Sequence, residues 1–517
     1  MAGLILGIDI GTTSLKTAVF DQKGSKQADA VVEYSLITPN TTWVEAPCGV
    51  YMDSIQKCLE IVRQKNVDTR QVDTVGFSVQ GETLCLTDES GEPLRNAIVW
   101  MDNRAGEQAE ALRAAFGDEL CYEVTGQVSF EACWPAAKLL WVRENEPELW
   151  RKVRHILLLE DYVIYQLTGK YVSEGSLLTS TEYWDIRTKK YWPEMLSYLG
   201  INERHLPEIR ESGELVGDIL PEMAEALGIS PDAKICTGCL DQAAGAIGVG
   251  NVKPGIFSEN IGAALAICVP TSKLTYDKNR QMPVHYFAIP DTYMMHTFTT
   301  GGMCLRWFRD GFCKEEIQMQ EVSGLDSYYL MDLEADRIPA GSDGLIALPH
   351  LQGSMAPDVN LNAKAVFYGA TLKHTKAHFI RSIMESLGYI ICRNLEAIDA
   401  MGLDIQEIRT MGGGSKSDTW NQIKADMLGC KSATLENAQG AVLTDAVIAA
   451  YAVGDLEDPS QVFEKTRKIK KIYEPDLIRT KYYRSIYEQQ RKLIKDDMAA
   501  VFETLHQISK IQEQSND

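Results

Sequence analysis

The chain has 517 residues, a formal net charge of −21 and 12 cysteines, and 45% of its residues are hydrophobic. At about 100–250 residues per domain, this length predicts two to four domains, and the negative charge argues against nucleic acid or an anionic membrane surface as a partner. No apolar run reaches the ~18 residues of a membrane-spanning helix, and the apolar start is too short before Asp9 for a signal peptide. The cysteines are scattered among apolar neighbours, which is typical of reduced thiols in a cytoplasmic protein.

The first 21 residues predict a β-hairpin with a small polar turn. An apolar run at residues 4–8 leads to Asp9, the turn is Gly11-Thr12-Thr13-Ser14, and a second run contains Lys16. Because Gly11 has no Cβ, and hydroxyls and successive backbone N–H groups follow it, the turn is suited to hold an anion such as phosphate. Asp9 is placed to face a metal ion or its waters. The alternative is a plain Gly-Thr hairpin with an aspartate at its edge.

Strands and helices then alternate to about residue 250. Apolar spacing predicts helices at residues 51–64, 105–115, 135–145 and 157–167, and strands at residues 72–78 and 84–88. At residues 235–241 a strand runs into a Gly-rich helix, and residues 251–255 are the best candidate for a linker. We therefore predict an N-terminal domain at residues 1–250, a C-terminal domain at residues 255–480 and a helical tail at residues 481–517.

The opening pattern recurs in the second half of the chain. Residues 255–269 again predict a strand, a glycine turn and a strand, which indicates a duplicated fold with one phosphate loop in each half. Farther on, residues 371–402 predict a long helix, and a strand at residues 408–411 ends in Gly412-Gly413-Gly414.

Five segments, in this order and spread over nearly the whole chain, resemble the motifs of the FGGY family of carbohydrate kinases. They are Gly7-Ile-Asp9-Ile-Gly11-Thr-Thr13, Pro135 with Lys138-Leu-Leu-Trp141-Val-Arg-Glu-Asn145, Asp241-Gln242-Ala-Ala-Gly245, Ala365-Val-Phe-Tyr-Gly369 with His378-Phe and Ser382-Ile-Met-Glu385, and Met411-Gly-Gly-Gly414-Ser-Lys-Ser417 with Trp420 and Gln422. The resemblance implies an α/β fold with two domains of the actin and hexokinase (ribonuclease H-like) type and a central cleft. It also implies an ATP-dependent carbohydrate kinase.

The resemblance implies roles for individual residues on the ATP side. Asp241 corresponds to the general base that takes the proton of the acceptor hydroxyl, and Asp9 to a residue that helps to hold Mg²⁺ through water. ATP binding is implied for Gly11, Thr12, Thr13, Lys16, Gly262, Ala263, Gly413, Gly414 and Ser417. An aspartate after a strand is more commonly a helix cap, and capping is compatible with catalysis at Asp241.

The acceptor side departs from the best-known members of that family. The resemblance implies substrate contacts for Gln80, Gly81, Glu82, Trp100, Asp102, Asp241 and Gln242. Glu82 and Gln242 match glycerol kinases, whereas Gly81 replaces their arginine and is expected to leave room for a larger acceptor. Trp100 either stacks on the substrate or is a core residue. We expect a ketopentose such as xylulose as acceptor, with glycerol, erythritol or another polyol as the alternative.

The second phosphate turn carries Ala263 where the family usually has threonine. The lost hydroxyl contact is worth about 1.5–3 kcal/mol, so a catalytically weak sugar- or nucleotide-binding homologue is an alternative of another class. An ATPase that acts on protein partners is a third. The presence of Asp241 and of the acceptor-loop residues favours the kinase. The expected partners are a small sugar or polyol and, in a homodimer, a second copy of the chain, with no nucleic acid and no membrane.

Overall fold

The computed structural model describes residues 3–351, 353–360, 362–436, 440–456, 468–494 and 498–516. Its strands are β1 (Leu4–Ile10), β2 (Ser14–Asp21), β3 (Lys26–Glu33), β4 (Glu45–Ala46), β5 (Val72–Val79), β6 (Leu84–Thr87), β7 (Ala97–Ile98), β8 (His155–Leu158), β9 (Val172–Glu174), β10 (Trp184–Asp185), β11 (Lys190–Tyr191), β12 (Glu208–Arg210), β13 (Leu215–Asp218), β14 (Lys234–Cys236), β15 (Cys239–Leu240), β16 (Ile256–Ile261), β17 (Ala264–Thr271), β18 (Val284–Tyr286), β19 (Tyr293–Thr300), β20 (Ile346–Leu348), β21 (Val366–Tyr368), β22 (Glu407–Gly412), β23 (Lys431–Leu435) and β24 (Ile469–Tyr473). Its helices are α1 (Gly49–Gln64), α2 (Gly106–Phe116), α3 (Asp118–Thr125), α4 (Pro135–Asn145), α5 (Pro147–Trp150), α6 (Leu159–Thr168), α7 (Gly175–Leu178), α8 (Pro193–Leu199), α9 (Pro221–Leu227), α10 (Asp241–Gly248), α11 (Met303–Phe312), α12 (Lys314–Ser323), α13 (Ser327–Asp336), α14 (Lys376–Ala400), α15 (Asp418–Leu428), α16 (Gly440–Ala452), α17 (Leu477–Leu493) and α18 (Ala499–Asn516).

The N-terminal half is built on a mixed sheet. Its described strands run in the order β13-β14-β5-β1-β2-β3, and β15 also pairs with β5. The hairpin β1–β2 is antiparallel and pairs Asp9 with Lys16, whereas β1 and β5 are parallel and pair Asp9 with Ser78. Ile8 and Ile10 join the hydrophobic cluster that includes α1. Because side chains alternate along a strand, Asp9 points to the opposite face of the sheet.

The C-terminal half repeats this arrangement. Its described sheet has the order β18-β19-β17-β16-β22-β23-β24. From β19 to β24 the successive pairs are antiparallel, antiparallel, parallel, parallel and antiparallel. The series from β3 through β2, β1, β5 and β14 to β13 has the same sequence of orientations. The duplication predicted from residues 255–269 is therefore confirmed, and the fold is the two-domain actin and hexokinase type.

Helix α16 belongs to the second half of the chain but packs on the sheet of the first half. A Cβ added to Gly7 of β1 would lie 2.2 Å from the carbonyl oxygen of Val442, so the helix backbone rests directly on the strand. On its other side, Thr444 donates a hydrogen bond to the carbonyl oxygen of Ala244 in α10 (2.8 Å). Helices α10 and α16 therefore join the two halves beside the end of β1.

Two of the predicted boundaries look different in the structure. Asn251, in the predicted linker, is fully buried, and its amide donates to the Ser258 hydroxyl (2.8 Å) and the Cys268 carbonyl (2.9 Å). The linker is thus already anchored to the C-terminal sheet. The helical tail begins earlier than predicted, with α17, whose Tyr483 hydroxyl donates to Glu385 of α14 (2.7 Å). Within the described residues, no helix combines the length and apolar composition needed to span a membrane.

Candidate active site

The first glycine turn, between β1 and β2, is narrow and open to solvent on one side. The Gly11 amide donates to the Ser14 carbonyl oxygen (3.0 Å) and closes the turn, and the Tyr34 hydroxyl donates to the Gly11 carbonyl oxygen. Gly11 does not have a positive φ. A Cβ there would lie 3.2 Å from the Ser14 oxygen, so glycine is needed for the close approach of the two backbones. Thr12 and Thr13 present their hydroxyls at the tip of the turn.

Asp9 and Lys16 form an ion pair at the end of the hairpin. Lys16 Nζ lies 2.9 Å from Asp9 Oδ2, and the lysine side chain is 52% exposed whereas the aspartate side chain is 9% exposed. Burial lowers the pKa of Lys16, but the carboxylates of Asp9, Asp241 and Asp445 raise it above its ordinary value. The turn therefore offers a positive charge and a carboxylate beside two threonines, which suits a phosphate group and a cation that prefers oxygen ligands.

Asp241 is the first residue of α10, and the N-cap of that helix is Leu240. Asp241 is therefore not the N-cap, and the apolar side chain of Leu240 makes no capping hydrogen bond. Burial, and then the carboxylates of Asp9 and Glu82, raise the pKa of Asp241 to about 7. A carboxyl group with that pKa accepts a proton efficiently near neutral pH. Gln242 follows it, partly exposed at the same helix end.

The predicted acceptor loop begins directly after β5 and is tied to the first turn. The backbone N–H of Gln80 donates to the Ile10 carbonyl oxygen (2.9 Å), and the buried Gln80 side chain interacts with the Tyr51 hydroxyl. Glu82 is buried with φ = 59°, a conformation that a non-glycine residue adopts at functional sites more often than elsewhere. Burial raises the pKa of Glu82, against the influence of Ser180 and Lys138.

Gly81 contacts Leu240 of β15. A Cβ at Gly81 would lie 2.9 Å from Leu240 Cδ1, the end of a flexible side chain that would have to shift. The expectation that Gly81 leaves room for a larger acceptor stays a prediction. Leu240 immediately precedes Asp241, and Gly81 allows the acceptor loop to pack against the start of α10.

Trp100 connects the acceptor loop to the first turn. Its indole Nε1 donates to the Thr12 hydroxyl (2.9 Å), and its ring meets Phe298 of the C-terminal half edge-on, with ring centroids 6.2 Å apart. Lys138 Nζ donates to the carbonyl oxygens of Val99 (2.9 Å) and Trp100 (3.1 Å). Trp100 is thus half-buried and held in place, and its role as a stacking surface for the substrate or as a core residue stays a prediction.

Asp102 occupies a structural position. It is fully buried, both oxygens accept hydrogen bonds from the Arg104 guanidinium (2.9 and 2.8 Å), and Oδ2 also accepts from the Val44 amide (2.5 Å). The guanidinium in turn lies over the Trp43 ring, 4.1 Å from its centroid. A direct contact with substrate would have to break these bonds, so the geometry assigns Asp102 to shaping the loop rather than to the predicted contact.

The second glycine turn, Gly262-Ala263, joins β16 to β17 and receives the N-terminus of α11. The amides of Gly301 (3.1 Å) and Met303 (3.0 Å) both donate to the Ala263 carbonyl oxygen. A Cβ at Gly302 would lie 2.5 Å from the Gly262 oxygen. Gly301 and Gly302 were not predicted from the sequence to belong to this turn. The Thr-Thr-Gly-Gly run ahead of an amphipathic helix was the signal that pointed to them.

The third glycine turn follows β22 and lies against the second. Gly412 has φ = 72°, and a Cβ there would lie 2.5 Å from Asn260 Oδ1. A Cβ at Gly414 would lie 2.8 Å from Ile261 Cβ, whereas one at Gly413 would find only the Ile261 oxygen, at 3.7 Å. Gly412 and Gly414 thus pack against the end of β16. The Cα of Gly413 faces open space that a ligand can occupy.

Ser417 acts as a helix cap in this structure. It is buried, and its hydroxyl accepts a hydrogen bond from the Trp420 amide (3.0 Å) at the start of α15. This differs from the direct nucleotide contact that the sequence predicted. Its position fixes the end of the third turn, so we regard its effect on a nucleotide as indirect.

Comparison with known proteins places these turns and loops in a family context. Residues 4–248 match the N-terminal domain of the FGGY family of carbohydrate kinases, and residues 271–453 match its C-terminal domain. The xylulose kinase of Bacillus subtilis is 29% identical over 497 residues, which are 95% of this chain and 96% of that protein. The gluconokinase of Bacillus licheniformis is 28% identical over 88% of this chain and 89% of its own length. The crystal structure of ligand-bound xylulose kinase from Lactobacillus acidophilus superimposes with a TM-score of 0.87 at 25% identity, covering 96% of this chain and 99% of that one.

Proposed function

Because the chain belongs to the FGGY family of carbohydrate kinases, we propose that it transfers the γ-phosphoryl group of ATP to a hydroxyl of a small neutral sugar, with a ketopentose such as xylulose as the acceptor. One observation carries this proposal. Asp241 is near enough to Asp9 of the first turn and to Glu82 of the acceptor loop for both carboxylates to add to the effect of burial, which raises its pKa to about 7.

Asp241 takes the proton of the acceptor hydroxyl. A neutral hydroxyl is a weak nucleophile, and a carboxylate within hydrogen-bond reach removes its proton as the new P–O bond forms. The bond between the γ-phosphorus and the bridging oxygen of ATP breaks, and ADP leaves. With a pKa near 7, Asp241 is ionised often enough to accept the proton and basic enough to hold it.

The three glycine turns provide the ATP site. Gly11, Thr12, Thr13 and Lys16 face the phosphates from the N-terminal half, Gly262 and Ala263 from the C-terminal half, and Gly413 faces the adenosine. The donor set near Asp9 consists of carboxylate oxygens, which fit Mg²⁺. When bound with ATP, Mg²⁺ neutralises charge on the phosphate oxygens. Asp9 would hold it through water, and Lys16 would turn from Asp9 to a phosphate oxygen.

The acceptor end favours a neutral, hydroxyl-rich molecule. Glu82 can accept hydrogen bonds from hydroxyls, and the Gln80 side chain before it carries both a donor and an acceptor. An acidic sugar such as gluconate would bring its carboxylate close to Glu82 and Asp241, which is unfavourable. Xylulose kinases and gluconokinases both occur among the relatives at 28–29% identity, and the carboxylates of Glu82 and Asp241 favour the neutral ketopentose over the aldonate. Glycerol or erythritol remains the alternative within the same chemistry.

A panel of acceptors tests the proposal. ADP release is measured with xylulose, ribulose, erythritol, glycerol and gluconate, and Asp241→Asn serves as the inactive reference. We expect the highest kcat/KM with a ketopentose and none above background with gluconate. Preference for glycerol or gluconate would refute the substrate assignment. ATP binding without turnover on any acceptor would instead support the weak-homologue alternative raised by Ala263.

A further inference from the structure

Helix α16 carries a single charged residue among apolar and small ones. Its sequence is GAVLTDAVIAAYA, and the charged residue is Asp445. The helix backbone lies directly on the sheet. A Cβ at Gly7 would be 2.2 Å from the backbone carbonyl oxygen of Val442, and a Cβ at Gly76 would be 2.3 Å from the backbone carbonyl oxygen of Asp445. Asp445 is therefore held at a fixed height above β1 and β5.

The Asp445 side chain points along the sheet towards the first turn. Asp9 and Ser78 are paired in the register of β1 and β5. Asp9 lies two residues after Gly7 and Ser78 two residues after Gly76, so both side chains are on the face of the sheet that α16 covers. The Ser78 hydroxyl donates to Asp445 Oδ2 (3.2 Å). Asp445 is 0% exposed, and its Oδ1 has no hydrogen-bond partner among the described residues. A buried carboxylate oxygen without a donor is unfavourable unless a ligand or its water supplies one.

The charges at this end of the sheet are unbalanced. The carboxylates of Asp9, Asp241 and Asp445 all act on the ammonium group of Lys16. Burial, and then the Asp9 carboxylate, raise the pKa of Asp445 well above its ordinary value. Such an excess of acid over base suits a divalent cation. In the part of the chain that the structure describes, no three carboxylate, histidine or cysteine side chains form a metal site by themselves, so a cation here keeps much of its water.

We propose that Asp445 is an outer-shell residue for the divalent cation of the phosphoryl-transfer site, with Oδ1 accepting a hydrogen bond from a cation-bound water while Oδ2 stays bonded to Ser78. Asp445 acts through water and is therefore a positioning residue. It adds a carboxylate from the second half of the chain to the Asp9 carboxylate of the first half. This inference rests on the proposed function, because the cation is the one that accompanies ATP.

Manganese binding to the full-length protein tests the inference without relying on turnover. Free Mn²⁺ is measured by electron paramagnetic resonance in the presence of saturating ADP, for the wild type and for Asp445→Ala and Asp445→Asn. Loss of an outer-shell partner typically weakens metal binding by about 10–100-fold, and we expect this for Asp445→Ala. Asp445→Asn keeps the shape but lacks the negative charge, and it should still lose about 10-fold in Mn²⁺ affinity. ADP affinity measured without any divalent cation should not change.

The outcomes separate the inference from the proposed function. Unchanged Mn²⁺ affinity in Asp445→Ala, with normal wild-type binding, overturns the inference alone. If Asp445→Ala loses as much affinity for ADP without metal as it loses for Mn²⁺, then α16 has moved, and this result also overturns the inference. If Asp445→Ala does not unfold cooperatively, the isosteric Asp445→Asn decides, and full Mn²⁺ affinity there refutes the role. A wild type that binds no Mn²⁺ with ADP refutes both. Glu334→Gln, on α13, is the matched control and should behave as wild type.

Discussion

Asp241 should impose an acidic limb on the pH dependence of the reaction. Burial and two neighbouring carboxylates raise its pKa to about 7, and a general base works only when ionised. A one-proton limb then leaves kcat/KM for the acceptor at about half of its plateau near pH 7 and about a tenth near pH 6. Activity is therefore lost as the pH falls through the raised pKa. The Glu82 carboxylate is one of the causes of that raised pKa, so Glu82→Gln should move the limb to lower pH.

Asp241→Asn keeps the shape but removes the proton acceptor, so we expect kcat to fall by about 10²–10⁴ and the limb to disappear from the residual rate. ADP release is followed between about pH 5 and 9 under conditions in which the chemical step limits the rate. Glu334 provides the control, because its carboxyl on α13 also has a pKa raised to about 7 by burial and by Glu316. A limb that survives in Asp241→Asn, or that moves in Glu334→Gln, would refute the reasoning.

Four other predictions concern the turns, the loop and the cleft. Gly413→Val should raise the Kd for ATP with an unchanged melting temperature, since a Cβ there meets only one atom, at 3.7 Å. Gly412→Ala should instead lower the melting temperature. An ATP affinity equal to that of the wild type in folded Gly413→Val would count against the site. Trp100→Phe removes one hydrogen bond of about 1 kcal/mol, so kcat/KM should fall about 5-fold. An unchanged kcat/KM would show that the hydrogen bond from Trp100 to Thr12 does not contribute to the reaction. Gly81→Ala should destabilise the protein and Leu240→Ala should relieve that loss in the double variant; additive effects would contradict their contact. Small-angle scattering should show a smaller radius of gyration with acceptor and a non-hydrolysable ATP analogue, and no compaction would indicate a rigid cleft.

Local sequence was sufficient for the hairpins and for the duplication. The first turn and the repeat at residues 255–269 are contiguous patterns of apolar strand, glycine and apolar strand, and the structure forms them where the pattern places them. The helix at Asp241 was also readable, because a strand leads into a run of small residues. These features depend on neighbours in the chain, which is why one sequence reveals them.

Features that depend on distant contacts were not predictable in the same way. The contact of Gly81 with Leu240, which lies far along the chain, is one example. Asp102 was predicted to contact the substrate. Arg104 stands two residues away in the sequence, but only the fold shows that its guanidinium donates hydrogen bonds to both carboxylate oxygens of Asp102. Asp445 was given no role from the sequence; it lies in a helix of mostly apolar and small residues. A lone aspartate in such a helix was the available signal, since buried carboxylates are rare without a partner or a purpose.

The direct packing of α16 on the N-terminal sheet limits how the protein could be split into two fragments. Ile5, Ala18 and Phe20 of the N-terminal sheet form one apolar cluster with Ala446 and Ala449 of this helix. A fragment cut near the predicted linker would leave that strip of strands uncovered in water, and the separated helix would lose the surface it is shaped to fit. The two halves, although built on the same plan, are therefore not interchangeable modules. A split version of this protein would recover its native sheet only when both fragments are present together and reassemble through α16.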